Sequence, residues 1–172
     1  LGLNIPGIWY QMHQVIPGKL NVTGVVLPGQ PIVIAGHNDS IAWGFTNVMT
    51  DDADFYQETI NPQNPDQYLL NGGWKNLLKV EEKIRIKGGD FVIRNNRFTH
   101  RGPIISERKK VKDKVLSMRW LGNEDSNEIQ SVYLLNRASN WTDFRNALRT
   151  FISVNQNAVY ADVNGNIGMQ ST

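Results

Sequence analysis

Residues 36–54 read GHNDSIAWGFTNVMTDDAD, a short alternating run that enters and leaves polar turns and ends in an acidic cluster. Ser40 to Thr46 predicts a strand, the HND string before it is turn chemistry, and Asp51, Asp52 and Asp54 follow directly. Three carboxylates so close together, interspersed with backbone carbonyls, offer the oxygen ligands that hard cations take. A solvated loop is the other reading of the same residues.

Outward from this stretch the chain reads mostly as strands. Ile8 to Val15, Leu20 to Leu27 and Ile32 to Gly36 are short apolar or alternating runs separated by PG and LPGQP. Downstream, Val80 to Lys87 and FVIRNNRF flank GGD as a hairpin, and Val115 to Trp120 is a further strand candidate. Helical spacing comes late. Ile129, Val132, Leu134 and Leu135 share roughly one face, and Trp141, Phe144, Leu148 and Phe151 follow an Asn140 or Thr142 cap. Ala158 to Val163 and Ile167 to Gln170 around Asn164-Gly165 form the strongest hairpin signal. Strands, then helices, then strands predict an α+β fold with two helices near residues 127–151.

The 172 residues, 40% hydrophobic and 20% charged, suffice for one domain with a substantial core. A net charge of +2 gives no electrostatic reason to expect nucleic acid or an anionic membrane as partner. Lys109, Lys110, Lys112 and Lys114, after Arg108, form the one dense basic run and are expected at a solvated hairpin tip. There is no cysteine, which excludes disulfides, thiolate catalysis and cysteine-bound zinc. No apolar run approaches the roughly 20 residues of a membrane helix. The opening LGLNIPG has neither an initiator Met nor a signal pattern, so the chain is expected to be an excised piece.

Residue types alone carry little chemistry. His13, His37 and His100 lack metal-site spacing, and no G-x-S-x-G elbow occurs. His37 is expected to bond a local backbone group rather than serve as a general base. Ser40 is not expected to pair with it, because their separation along a strand sends the side chains to opposite faces. Asp162-Val-Asn-Gly-Asn166 has its glycine in the wrong place for a calcium loop and lacks the closing glutamate, so a turn is expected.

Several strings together resemble the penicillin acylase family of N-terminal-nucleophile amidohydrolases. LGLNIPGIWYQMH resembles the segment that follows shortly after the family's nucleophile. NVTGVVLPGQPIVIAGHN and the Gly36–Thr46 run resemble its oxyanion strands, FTHRGPII its R-T-x-H-G-P pattern, and YADVNGNIG another of its signatures. The resemblance spans essentially the whole chain. It implies that residues 1–172 are one fragment of the family's β subunit, incomplete at both ends, forming part of an αββα sandwich. The α subunit and the rest of the β subunit are then the partners, after autoproteolytic processing.

In the family, an N-terminal serine, assisted by its own amino group, attacks an amide and forms an acyl-enzyme that water resolves. The first residue here is Leu1, so the nucleophile lies upstream and the fragment alone is expected to be inactive and unable to process itself. The resemblance gives Asn47 the backbone oxyanion donor, with the second donor, an asparagine side chain, beyond Thr172. It assigns the acyl pocket to Leu1, Ile34, Ala35 and Phe45, Phe45 being equally readable as core. Where relatives that prefer phenylacetyl groups carry aromatics, Leu1 and Ala35 do not, which argues against benzylpenicillin as natural substrate.

Asp51, the Ala53 carbonyl and Asp54 match the family's calcium ligands in this region, with Asp52 the solvated member. The metal would be structural and incomplete here, too weak in the isolated chain for tight binding. No organic cofactor is expected. Family members are usually exported to the periplasm or beyond. The function expected of the parent is hydrolysis of the side-chain amide of penicillin-like or other N-acyl compounds. The alternatives are an acyl-homoserine lactone acylase of the same mechanism, or a non-catalytic β-rich binding module that has lost the nucleophile. A serine, cysteine or threonine a short way upstream of Leu1 distinguishes the enzymes from the module. Truncated sheets are also expected to leave open edges and cause self-association.

Overall fold

The structure, a computed structural model, describes residues 6–106, 111 and 113–172. Leu1 and most of the basic run, Arg108, Lys109, Lys110 and Lys112, lie outside the described residues. The chain divides into two compact units, residues 1–50 with 124–172, and residues 51–123. Among the described residues, the strands together with the helices Glu128–Leu135 and Trp141–Leu148 give the expected α+β class.

The first unit is an antiparallel sheet built from β1 (Tyr10–Ile16), β2 (Leu20–Val26), β3 (Ala35–Asn38), β4 (Ile41–Asn47), β13 (Gln156–Asp162) and β14 (Ile167–Ser171), in the order β1-β2-β3-β4-β13-β14. Helices α1 (Glu128–Leu135) and α2 (Trp141–Leu148) supply Leu135, Phe144, Ala147 and Leu148 to one core with Val22, Val26, Ile41, Trp43, Ala158 and Tyr160 of the strands. These strand residues are alternate positions, as a half-buried sheet requires. Burying Phe144 completely contributes roughly 1.5–3 kcal/mol relative to leaving it exposed. On the opposite face Val159, Ile167 and Met169 are exposed.

Both helices start at asparagine caps. Asn127 Oδ1 accepts from the Gln130 N–H at 3.0 Å, and Asn140 Oδ1 from the Asp143 N–H at 2.9 Å. The expected apolar face of α1 is only half right. Val132 and Leu135 are buried with Ser131, whereas Leu134, about 100° round the helix from Leu135, is exposed, and so is Ile129 in the first turn, which borders an open cavity rather than the core. Phe151 lies past the end of α2 and stacks on Phe45 instead of extending the helical stripe.

The third strand also differs from expectation, beginning at Ala35 rather than Ile32. The peptide of Val33 is taken by a side chain instead of a neighbouring strand: Asn136 Oδ1 accepts its N–H at 3.0 Å, and Asn136 Nδ2 donates to its carbonyl at 2.7 Å. Gly24 and Gly36 face each other in the β2–β3 register, and the Val33 side chain sits over them. A Cβ on Gly36 would fall 2.1 Å from the Thr23 carbonyl oxygen, so no other residue fits there unless the strands part.

Among the described residues, the second unit holds three small antiparallel sheets. Strand β5 (Ala53–Glu58) pairs with β12 (Val115–Trp120). Strands β6 (Ile60–Asn61), β7 (Asn64–Leu70) and β8 (Gly73–Asn76) form the second sheet, and β9 (Leu78–Arg85), β10 (Phe91–Thr99) and β11 (Gly102–Pro103) the third. Its core is Tyr68, Leu77 and Ile104. A buried polar cluster joins two of the elements. The Glu58 carboxylate accepts from Ser117 Oγ at 2.6 Å and from Arg101 at 3.2 and 3.3 Å, so its buried charge is paired with a half-buried guanidinium and a buried hydroxyl.

Candidate active-site cavity

The register of β4 on β13 decides what Asn47 can do. Val48 N–H donates to the Asn155 carbonyl and Val163 N–H to the Ser40 carbonyl, which fixes the alternation of paired and unpaired positions between them. Asn47 stands opposite Gln156 at a position where antiparallel strands do not exchange backbone bonds, so its N–H points away from β13. On that side β3 accompanies β4 only as far as Trp43. The Asn47 N–H therefore projects from an open stretch of strand edge. Its side chain is held back by Gln156, whose Nε2 donates to Asn47 Oδ1 at 2.9 Å.

That edge borders a cavity of about 1100 Å³ that Ile34, Ala35, Phe45 and Asn47 all help to line. Four of the positions singled out in the sequence are thus brought together. Trp9, Ile129, Val132, Phe151 and Val154 add to a predominantly apolar wall. Periodicity pointed to Ile129 and Phe151 as core residues, not lining. The Phe45 and Phe151 rings lie 5.7 Å apart at 26° and fix each other's orientation.

Among the described residues, one charged side chain lines this cavity, Glu128 at the start of α1. Its Oε1 accepts from the N–H groups of Ser153 and Ile152 at 2.9 and 3.2 Å, and its Oε2 from Ser126 Oγ at 2.9 Å. Burial, the largest single influence, pushes the carboxyl up, but these donors together hold it below its ordinary value. The carboxylate is thus a fastener for the segment that follows α2.

The loop wall is fastened from three sides. Ile34 N–H donates to the Val25 carbonyl at 2.9 Å, the Trp43 indole N–H donates to the Ile34 carbonyl at 2.9 Å, and Asn136 holds Val33. His37 makes the expected local contact, Nδ1 to the Asn38 carbonyl at 3.3 Å. The Asp162 stretch is a turn, with Asp162 Oδ1 accepting from the N–H groups of Asn164 and Asn166 at 3.0 and 2.9 Å.

The acidic run belongs to the second unit. Ala53 and Asp54 open β5, and Leu121 N–H donates to the Asp52 carbonyl, which makes Asp52 a bonded position of the ladder. Ala53, one residue on, turns its carbonyl away from β12. The side chains of Asp51 and Asp54 are exposed, and Asp54 Oδ2 accepts from the Tyr56 hydroxyl at 3.2 Å. Asp52 is not the solvated member: it is half-buried and accepts from the Trp120 indole N–H at 3.2 Å. Among the described residues no group of three or more His, Cys, Asp or Glu side chains is arranged to hold a metal. Two carboxylates and an outward carbonyl nonetheless have the hard-oxygen chemistry calcium takes, as part of a larger set.

No helix among the described residues is long and apolar enough to cross a membrane. The family model for penicillin amidase matches residues 1–172. The chain is 32% identical to the penicillin G acylase of Escherichia coli over 154 residues, 88% of this chain and 18% of that protein. It is 31% identical to the acyl-homoserine lactone acylase PvdQ of Pseudomonas fluorescens, covering 83% of this chain and 19% of the relative. Identity is 30% to the acyl-homoserine lactone acylase QuiP of Pseudomonas aeruginosa, covering 100% of this chain and 22% of the relative. The chain thus spans about a fifth of the length of these curated relatives. A solved thermostable penicillin G acylase from Alcaligenes faecalis superimposes with a TM-score of 0.80 at 29% identity, over 96% of this chain and 30% of that one. A whole-chain family match and a shared fold lead to one conclusion: the chain belongs to the penicillin amidase family.

Proposed function

We propose that the protein of which this chain is a part hydrolyses the amide bond of N-acyl compounds, with an apolar acyl group lodged in the cavity beside Asn47. The observation that carries this reading is the outward Asn47 N–H on the rim of a cavity lined by Ile34, Ala35 and Phe45. An acyl group buried among these residues gains hydrophobic free energy without any charge to recognise. Its carbonyl carbon is attacked by the hydroxyl of an N-terminal serine supplied by sequence outside this chain, the proton passing to the serine's own amino group. The tetrahedral oxyanion accepts from the Asn47 N–H and from an asparagine side chain also outside the chain. The amine leaves with the proton, and water cleaves the remaining ester to acid and free serine.

A fatty acyl chain suits the cavity as well as an aromatic one. At about 1100 Å³ it lies just above the roughly 300–1,000 Å³ of small-molecule sites, and Ala35 leaves room that a larger residue would fill. Acyl-homoserine lactones are therefore the second substrate class proposed. Asp51, the Ala53 carbonyl and Asp54 would hold a structural calcium together with ligands from elsewhere in the protein, neutralising two clustered carboxylates and pinning the start of β5. The processed α subunit and the rest of the β subunit are the proposed partners, and the exported compartment of the family the proposed location.

The test uses the full-length protein. Mass spectrometry should find it cleaved to expose a serine, cysteine or threonine, and phenylacetyl and octanoyl anilides should both be turned over. An uncleaved protein that turns over neither anilide, nor an acyl-homoserine lactone, would leave the non-catalytic binding module as the correct reading.

A further inference from the structure

We infer that Asn136 and Trp43, neither of which lines the cavity, are positioning residues that set its acyl-group selectivity by fixing the Val33–Ile34 wall; this rests on the acyl cavity proposed above. Asn136 is 1% exposed and spends its side chain on the backbone of two cavity walls. Its Nδ2 donates to the Val33 carbonyl at 2.7 Å and to the Val132 carbonyl at 2.9 Å, while its Oδ1 accepts the Val33 N–H at 3.0 Å. Val132 lines the cavity from α1, and Ile34, next to Val33, lines it from the β2–β3 loop. One amide therefore bolts the helical wall to the loop wall.

The bolt is needed because the loop cannot hold itself. Val33 is outside β3 and its N–H and carbonyl go to Asn136 rather than to a strand, while Ile34 is tied to strand backbone only through its N–H to the Val25 carbonyl. Trp43 supplies the third attachment, its indole N–H donating to the Ile34 carbonyl at 2.9 Å from the neighbouring strand. Val33 itself is fully buried over Gly24 and Gly36, so the loop has one seat and these bonds choose its height in it. Without the Asn136 amide, the Val33 N–H and carbonyl would be buried and unsatisfied, and the loop would move to reach water. Ile34 and Ala35 would move with it. The reacting carbonyl, placed by the β4 edge, would not.

A plain helix-capping role predicts lost stability and nothing more. The positioning role predicts a loss graded by acyl length. In the full-length enzyme, Asn136→Ala and Trp43→Phe are compared with Leu148→Ala, a core change at a residue that does not line the cavity. Each is assayed on acetyl, octanoyl and phenylacetyl anilides below its Tm. For the two positioning variants kcat/KM should fall about tenfold or more on octanoyl and phenylacetyl substrates, mainly through KM, and change little on acetyl. Leu148→Ala should lower Tm and leave the acyl preference alone. Should Asn136→Ala fail to fold, Trp43→Phe carries the test, since it deletes a single donor and keeps an aromatic ring.

Octanoate and phenylacetate binding, measured by calorimetry, gives a readout that needs no turnover. Weakened binding in the two positioning variants with normal binding in Leu148→Ala supports the inference. A uniform loss across acyl lengths, or the same profile in all three variants, overturns it. Wild-type protein that binds these acids but hydrolyses no amide would refute the proposed reaction while leaving the positioning role standing. Wild-type protein that does neither would overturn both.

Discussion

Asn47 and Gln156 face each other across β4 and β13 at a position where no backbone bonds are exchanged, leaving the Asn47 N–H directed along an open edge into the cavity. If that N–H is an oxyanion donor, the side chain of residue 47 is nearly irrelevant and the amide hydrogen is essential. Asn47→Pro should lower kcat in the full-length enzyme by about 10²–10³-fold, whereas Asn47→Ala should retain most of it. Proline is tolerable at such an unpaired edge position, so the fold should survive, which circular dichroism would verify. Equal activity in the two variants would remove Asn47 from the reaction.

Phe45 and Phe151 come from a strand and from the segment after α2, and their stacked rings join the two. A double-mutant cycle with alanine at both positions should give a coupling of about 0.5–1.5 kcal/mol in urea denaturation. Phe151→Ala should also widen the cavity and raise kcat/KM for bulkier acyl anilides relative to phenylacetyl. An additive cycle would mean that the rings do not support each other in solution.

Calcium should raise the Tm of the full-length protein. Asp51→Asn and Asp54→Asn should each reduce that rise, because each removes an exposed carboxylate from the proposed ligand set. Asp52→Asn should leave it intact, since Asp52 is engaged by the Trp120 indole, and should change stability little with or without metal, because an amide oxygen still accepts that N–H. A Tm rise that only Asp52→Asn abolishes would reassign the site.

The β13–β14 turn predicts stability losses at both ends of the pH range. Bonds from the Asn166 side chain, foremost, and from the Asn166 and Asn164 N–H groups and the Tyr160 hydroxyl hold Asp162 below its ordinary 3.8. Stability from this carboxylate is present above about pH 4 and is lost as pH falls through its lowered value. Tyr160 is pushed up to about 12 by burial and by its bond to Asp162, so its contribution is lost as pH rises from 10.0 through about 12. In Asp162→Asn, thermal melts should show a shallower acid limb, and the Tyr160 phenolate should form at lower pH in a spectrophotometric titration against Tyr160→Phe. An unchanged acid limb would mean that the turn contributes nothing there.

Much of this was legible locally. The Asn164-Gly165 hairpin, the Asn140 cap and the strands on either side of GGD depend on neighbouring residues, and they formed where the pattern placed them. Strands β5 to β8 were missed because Ala53 to Asn76 is rich in polar residues, and its pairing depends on turns and on Tyr68 and Leu77 finding a core. The start of β3 was misplaced for a related reason. Nothing near Val33 in sequence announces that Asn136, distant along the chain, will take its backbone.

By itself the sequence determined the α+β class and, through its motif strings, the family whose resemblance singles out Ile34, Ala35, Phe45 and Asn47, because periodicity, turn chemistry and motif strings are properties of short stretches. Only the tertiary structure decided that those four border one cavity, that the Asn47 N–H leaves its strand on the open side, and that Asp52 is engaged while Asp51 and Asp54 are exposed. Strand register and cavity walls arise from pairings between distant segments, and a one-residue change of register would have turned the same N–H into the sheet.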